Sequence, residues 1–109
     1  MTDHRFDILG QLADDIAARR TASPETSYTA RLLADGVARC AKKFGEEAVE
    51  AALAAVSGDK SQLAAEAADT LYHLLVMLAA AGVTPADVMA ELEKRRGTGG
   101  LVEKAGRRS

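Results

Sequence analysis

Apolar residues recur at spacings of three and four along most of the chain, which is the pattern of amphipathic helices. The pattern predicts helices over residues 6–19, 27–35, 37–56, from 59 or 61 to 81, and from 84 to about 96. Gly36, Gly58 and Gly82 stand where the second, third and fourth of these should end. No stretch alternates apolar and polar residues as a half-buried strand would. The sequence therefore predicts an all-α fold, an antiparallel bundle of four to five helices with two long central helices.

The second long helix is apolar around nearly its whole circumference, which predicts that it is buried. Between Lys60 and Asp87 the only formally charged residues are Glu66 and Asp69, which lie three apart and hence on one side. His73 follows on the same strip one turn later. Buried acids are rare unless they are paired with a cation or held by hydrogen bonds, so these two need a partner.

The first long helix carries Glu46, Glu47 and Glu50 within one sector. Taken alone, this acidic sector is typical of a solvated helix face. If the two long helices pack antiparallel, however, Glu47 and Glu50 can face the acids of the second helix. Two carboxylates about 5 Å apart repel by about 3 kcal/mol at an effective dielectric constant near 20. Such a cluster must take up protons or hold a divalent cation.

The donor set of this cluster is all hard oxygen, which favours Mg²⁺, with Mn²⁺ or Ca²⁺ as substitutes, over zinc. A di-iron site would need Glu-x-x-His repeats, whereas His73 follows Asp69 by four residues. A structural alternative stays open, in which Glu66 and Asp69 form salt bridges inside the bundle. The candidate partners are Arg31, Arg39 and Lys43.

Length and composition fit a single domain over residues 1–109, in which the Gly-rich segment 98–109 is predicted to be a flexible tail. Aromatic residues make up 4% of the chain and Trp is absent, so the core must be built from Ala, Leu and Val. These side chains bury little area each, and a chain this short buries a modest fraction of its surface. We therefore expect a homo-oligomer.

The charge balance argues against nucleic acid as a partner, because the net charge of −2 and the pI near 5.6 give no basic footprint. The N-terminus is charged and shows no secretory signal. The longest apolar run, residues 71–83, is interrupted by His73 and is too short to span a bilayer. The sequence predicts a cytoplasmic protein with no membrane partner.

The acidic pattern has a known counterpart. Glu46, Glu47 and Glu50, followed after fifteen residues by Glu66 and Asp69, resemble the metal motif of the all-α, MazG-like nucleotide pyrophosphohydrolases. The flanking segments SYTARLLADG, CAKKFGEEAVEAALAA, EAADTLYHLLVML and GTGGLVEKA resemble, within that superfamily, the phosphoribosyl-ATP pyrophosphohydrolase family of histidine biosynthesis. The resemblance covers residues 27 to about 105.

This resemblance implies Mg²⁺-dependent hydrolysis of phosphoribosyl-ATP to phosphoribosyl-AMP and pyrophosphate, the second step of histidine biosynthesis, by an enzyme whose core unit is a dimer. It implies that one acid, Glu46 or Glu47, accepts the proton of the attacking water. The metal ligands would be Glu47, Glu50, Glu66 and Asp69.

Three further residues are candidates for substrate binding. Lys42 and Lys43 could meet phosphate oxygens, although they could equally balance the charge of the glutamates. His73 could contact substrate or could be a core histidine satisfied by a neighbour. Two other functions stay open: a house-cleaning nucleoside triphosphate pyrophosphohydrolase with the same chemistry, and a noncatalytic helical dimerisation module whose acids are only solvated.

Overall fold

The computed structural model describes residues 3–97, and within that range it contains five α-helices and no strand. The helices are α1 (Asp7–Ala18), α2 (Tyr28–Asp35), α3 (Val37–Ser57), α4 (Lys60–Ala81) and α5 (Pro85–Arg96), with a short 3₁₀ turn at Arg19–Thr21. The predicted all-α class is confirmed, and the predicted helix ends agree to within one or two residues. The predicted flexible tail, residues 98–109, lies outside the described residues.

Local signals fix these helix ends. The side chains of Ser27 and Asp59 each accept a hydrogen bond from the backbone N–H three residues later, at 3.1 and 3.0 Å, and so cap α2 and α4. Thr84 and Asp87 form a reciprocal capping box at the start of α5. Gly58 ends α3 with a φ of 82°, a left-handed conformation that favours glycine. The tight turn after Gly58 folds α4 back along α3.

Helices α3 and α4 form the most extensive helix pair of the described chain. Thr70 joins their backbones, because its hydroxyl lies 3.1 Å from the carbonyl oxygen of Glu47 on α3 and 2.8 Å from that of Glu66 on α4. Helix α2 packs against both long helices, and α1 packs against α4. The predicted pairing of the two long helices is therefore present.

The main cluster of buried residues in the core takes one residue from each of the first four helices, namely Ile16, Leu32, Cys40 and Val76. The Cys40 thiol donates a hydrogen bond to the Leu32 carbonyl at 3.2 Å. Burial raises the pKa of this thiol, and the nearby charge of Asp35 raises it further. These contacts set the rotation of α3 and α4 about their axes, and that rotation decides which side chains reach the groove between them.

Helix α4 is less covered than its composition predicts. Only His73 and Val76 are buried along its length, and Leu71 is 43% exposed. The reason is geometric: α1, α2 and α3 pack against parts of α4, and one chain of this length has too few elements to cover the rest. Helix α3 likewise leaves Val49, Leu53 and Val56 exposed.

By length and composition alone, α4 could also cross a membrane, since it has 22 residues and contains a segment of mean hydropathy 1.3. The central helix of a water-soluble bundle has the same properties. Helix α4 packs along α3 and carries Glu66, Asp69 and His73, and charged groups of this kind are expensive in lipid. The length and composition of α4 are therefore weak evidence for a membrane span.

Candidate metal and substrate site

Three carboxylates meet in the groove between the two long helices. Glu47 on α3 and Glu66 and Asp69 on α4 each offer an oxygen atom, and these atoms all lie within 4.8 Å of one another. Glu66 and Asp69 share a face of α4 because they are three residues apart, and the antiparallel packing of α3 brings Glu47 opposite them. Glu47 and Glu66 are half-buried, whereas Asp69 is exposed.

The hydrogen bonds of Glu66 fit a cation site. Its Oε1 accepts a hydrogen bond from the Gln62 amide at 2.7 Å. Its Oε2 is buried and has no hydrogen-bond partner among residues 3–97. A buried carboxylate oxygen without a partner is costly, and three converging carboxylates are hard ligands of the kind that divalent cations prefer. This acidic group could therefore hold a divalent metal ion.

Glu46 and Glu50 lie beside this group rather than in it. Both are exposed, and with Lys43, Gly45, Glu47 and Val49 they line an open depression of about 540 Å³. The structure thus brings three of the four predicted ligands together and leaves Glu50 on the rim. Its place one turn after Glu47 keeps it next to the cluster.

The two candidate lysines differ in position. Lys43 is half-buried, and its Nζ lies 3.6 Å from a carboxylate oxygen of Glu46. Lys42 is exposed and is not among the residues that line the depression. The position of Lys43 is compatible with both predicted roles, charge balance and contact with phosphate.

His73 lies next to the carboxylates but faces the interior. It is only 6% exposed, and the rings of Tyr72 and Tyr28 pack edge-on against it, with centroids 4.9 and 6.3 Å away. Burial lowers the pKa of His73, the charge of Glu47 partly opposes this, and Lys43 reinforces it. Its Nδ1 is buried and lacks a hydrogen-bond partner in the described part of the chain.

Sequence reasoning missed several residues that shape the site. Thr70 ties the backbones of α3 and α4 together beside Glu47 and Glu66. Its position four residues after Glu66 could have identified it, because a threonine can bond the carbonyl of residue i−4. On the other side, the Thr29 and Tyr72 hydroxyls share a hydrogen bond that joins α2 to α4. No local pattern indicates this second contact, which depends on how the helices pack.

A comparison with protein families decides the relationship of the chain. The family model described as phosphoribosyl-ATP pyrophosphohydrolase matches residues 9–96, which include the carboxylate cluster, Lys43 and His73.

The chain belongs to the phosphoribosyl-ATP pyrophosphohydrolase family.

Relatives within the phosphoribosyl-ATP pyrophosphohydrolase family are similar over nearly their full length. A protein of Cereibacter sphaeroides is 63% identical over 100 residues, which cover 92% of this chain and 97% of the relative. One of Paracoccus denitrificans is 62% identical, with 92% and 93% of the two chains covered. One of Rhizorhabdus wittichii is 58% identical over 99 residues, which cover 91% of this chain and 93% of the relative. All three are named phosphoribosyl-ATP pyrophosphatase.

Proposed function

We propose that the protein hydrolyses phosphoribosyl-ATP to phosphoribosyl-AMP and pyrophosphate, the second step of histidine biosynthesis. The observation that carries this proposal is the convergence of Glu47, Glu66 and Asp69 within 4.8 Å in a member of the phosphoribosyl-ATP pyrophosphohydrolase family. An acidic cluster alone is common on protein surfaces. Here it coincides with a buried Glu66 oxygen that has no hydrogen-bond partner among the described residues.

The proposed metal is Mg²⁺, for which Mn²⁺ can substitute, because all ligands are carboxylate oxygens. Glu47, Glu66 and Asp69 would hold it, and Glu50 is the proposed fourth ligand because it lines the adjoining depression. Bound there, the ion would neutralise phosphate charge in the transition state and acidify a bound water.

The remaining residues act on the water and the phosphates. Glu46 or Glu47 would accept the proton of the attacking water, since both border the same depression. Lys42 and Lys43 would attract the phosphates, with Lys43 held at the site by Glu46. Burial lowers the pKa of His73. Its Nδ1, which has no hydrogen-bond partner among residues 3–97, would be offered to a polar group of the substrate or of a ligand to the metal.

The proposal includes a cytoplasmic homo-oligomer, with a dimer as the expected unit, and a nucleotide as the small-molecule partner. The exposed apolar side chains of α3 support an oligomer. The net charge of −2 supports a protein that does not bind nucleic acid.

The deciding experiment measures pyrophosphate release from phosphoribosyl-ATP beside a panel of ordinary and noncanonical nucleoside triphosphates, with a titration of Mg²⁺. We expect the highest kcat/KM with phosphoribosyl-ATP and no turnover without a divalent ion. A preference for the panel would replace the proposal with a house-cleaning function, which the named relatives do not favour. No turnover of any nucleotide and no rise of Tm with Mg²⁺ would leave a noncatalytic dimerisation module.

A further inference from the structure

An exposed aromatic ring packs against His73, which follows Asp69 by four residues on α4, and this ring takes no part in the proposed chemistry. The ring belongs to Tyr28, the first residue of α2, which is 49% exposed. Helix α2 is firmly held here, because Ser27 caps its first turn and Ala30 and Leu32 are buried in the core. Tyr28 is thus a surface side chain on a fixed backbone.

The ring of Tyr28 is also held in place by its contact with His73 on α4. Its plane stands at 89° to that of His73, and the two centroids are 6.3 Å apart. His73 is in turn packed against Tyr72, whose hydroxyl is hydrogen-bonded to Thr29 on α2. This aromatic cluster braces α2 against α4, and it leaves about half of the Tyr28 surface open to a ligand.

His73 connects this cluster to the carboxylates. It follows Asp69 by four residues on α4, which is about 6 Å along the helix axis and nearly the same face. The charges of Glu47, Lys43, Asp69 and Glu46 all act on its imidazole. Tyr28 is therefore linked through the ring of His73 to the face of α4 that carries Asp69.

The other aromatic residues do not offer such a surface. The chain has two Tyr, two Phe and no Trp, and all four lie within residues 3–97. Phe6 is exposed, but it precedes α1 and faces an apolar groove lined by α1, α4 and α5. Phe44 and Tyr72 are half-buried. Of these four, Tyr28 is the exposed aromatic residue whose ring packs against His73.

The substrate of the proposed function has a matching part. Beyond its phosphates it carries an adenine alkylated by the second ribose at the ring nitrogen N1, which makes the base more basic than an ordinary adenine. The protonated base is a flat cation, and a flat cation over an aromatic face gains both stacking and cation–π attraction. An ordinary triphosphate has only the neutral base to offer.

We propose that Tyr28 is a specificity-determining residue that receives the N1-ribosylated adenine ring while the carboxylate cluster receives the phosphates. This inference rests on the proposed function and adds to it the group that distinguishes the substrate from plain ATP. It assigns recognition of the base to the α2–α4 aromatic cluster and leaves the hydrolytic step to the α3–α4 groove.

The first test compares Tyr28→Leu, which removes the ring, with Tyr28→Phe, which keeps it. Loss of base stacking should lower kcat/KM for phosphoribosyl-ATP about tenfold or more in Tyr28→Leu. The loss should be mainly a rise in KM, with kcat and the Mg²⁺ requirement nearly unchanged. Tyr28→Phe should stay within about threefold of the wild type, because the Tyr28 hydroxyl makes no hydrogen bond within residues 3–97. Phe6→Leu removes another exposed aromatic ring, and this control should leave KM unchanged.

The second test uses metal-free protein and two probes, N1-methyl-AMP and AMP, with NMR shifts of the tyrosine rings as the readout. Wild type should bind the methylated probe several-fold more tightly, and Tyr28→Leu should lose that preference. Unchanged KM in Tyr28→Leu with wild-type turnover of phosphoribosyl-ATP would overturn this inference alone. Equal losses in the Phe and Leu variants, or a loss that tracks a changed oligomeric state, would also overturn it. Absence of turnover in the wild type would overturn the proposed function as well.

Discussion

At the scale of single residues, a substitution at Asp69 is the most direct test of the role of the carboxylate cluster. Asp69 is exposed, so changing its side chain leaves no cavity. Asp69→Asn keeps the shape of the side chain and removes its charge. We expect turnover of phosphoribosyl-ATP to fall by at least about two orders of magnitude, as when a preorganised electrostatic group is lost. The free energy of unfolding in urea should not decrease, because one of three mutually repelling charges is gone.

Glu50 lies on the rim of the site, and its substitution tests whether it is the fourth ligand. We expect Glu50→Gln to lower turnover by at least about two orders of magnitude and to raise the Mg²⁺ concentration needed for half-maximal activity. Asp14→Asn on α1, also an exposed carboxylate, is the control and should have no effect. Near-normal turnover in both Asp69→Asn and Glu50→Gln would contradict the proposed metal site. Loss in Asp69→Asn alone would remove Glu50 from the ligand set.

His73 should make stability depend on pH in the metal-free protein. Burial holds the pKa of His73 below its ordinary value of 6.5, so below that pH the unfolded chain binds a proton that the folded chain does not. The contribution of the neutral His73 to the free energy of unfolding is complete above pH 6.5. It is lost as the pH falls through the lowered pKa that His73 has in the folded state. The variant His73→Phe should therefore lose less unfolding free energy than wild type between about pH 8 and about pH 5.

The matched control for His73 is His4→Phe, which replaces an exposed histidine. This variant keeps the buried His73, so its free energy of unfolding should still fall between about pH 8 and about pH 5, as in the wild type. Urea titrations at several pH values, each giving a free energy of unfolding, provide the comparison. Identical slopes for wild type and His73→Phe would show that His73 takes up a proton equally well in the folded chain.

At the scale of elements, the connection between α3 and α4 sets the register of the site. Asp59 caps α4 by accepting a hydrogen bond from the Gln62 N–H at 3.0 Å, and Gln62 in turn holds Glu66. Asp59→Ala should reduce the free energy of unfolding by about 1 kcal/mol, whereas Asp59→Asn keeps the cap and should change it little. Thermal or urea unfolding measures both. Equal losses in the two variants would assign the effect to the Asp59 charge instead of to the cap.

The helix ends could be predicted because their causes are local: a cap residue, a glycine, a proline. The meeting of Glu47 with Glu66 and Asp69 also followed from sequence, because a tight turn after Gly58 makes the two long helices antiparallel. The position of Glu50 on the rim of the site, in contrast, could not be predicted from the sequence. It depends on the rotation of α3 about its axis, and packing around core residues such as Cys40 and Val76 sets that rotation. The contact of α2 with α4 through the aromatic cluster likewise has no local signal.

At the scale of the whole molecule, one chain leaves much of its apolar surface uncovered. Val49, Leu53 and Val56 lie at spacings of four and three along α3 and form a continuous stripe, in which Val56 is 87% exposed. The buried hydrophobic core, in contrast, consists of six residues among those described. A stripe of this kind on a long helix is what a second helix covers. We infer that α3 contributes to the contact between subunits.

This assembly predicts a mass of at least two chains by sedimentation and a Tm that rises with protein concentration, since association stabilises only the folded state. Leu53→Glu places a charge in the centre of the stripe and should shift the protein toward monomer and lower its Tm. Met89→Glu, on the exposed surface of α5, is the matched control. A wild type that is monomeric at every concentration would contradict the predicted oligomer. If instead Met89→Glu dissociates the assembly and Leu53→Glu does not, the subunits meet through α5 and its apolar groove with α1 and α4, and the stripe on α3 remains open to solvent.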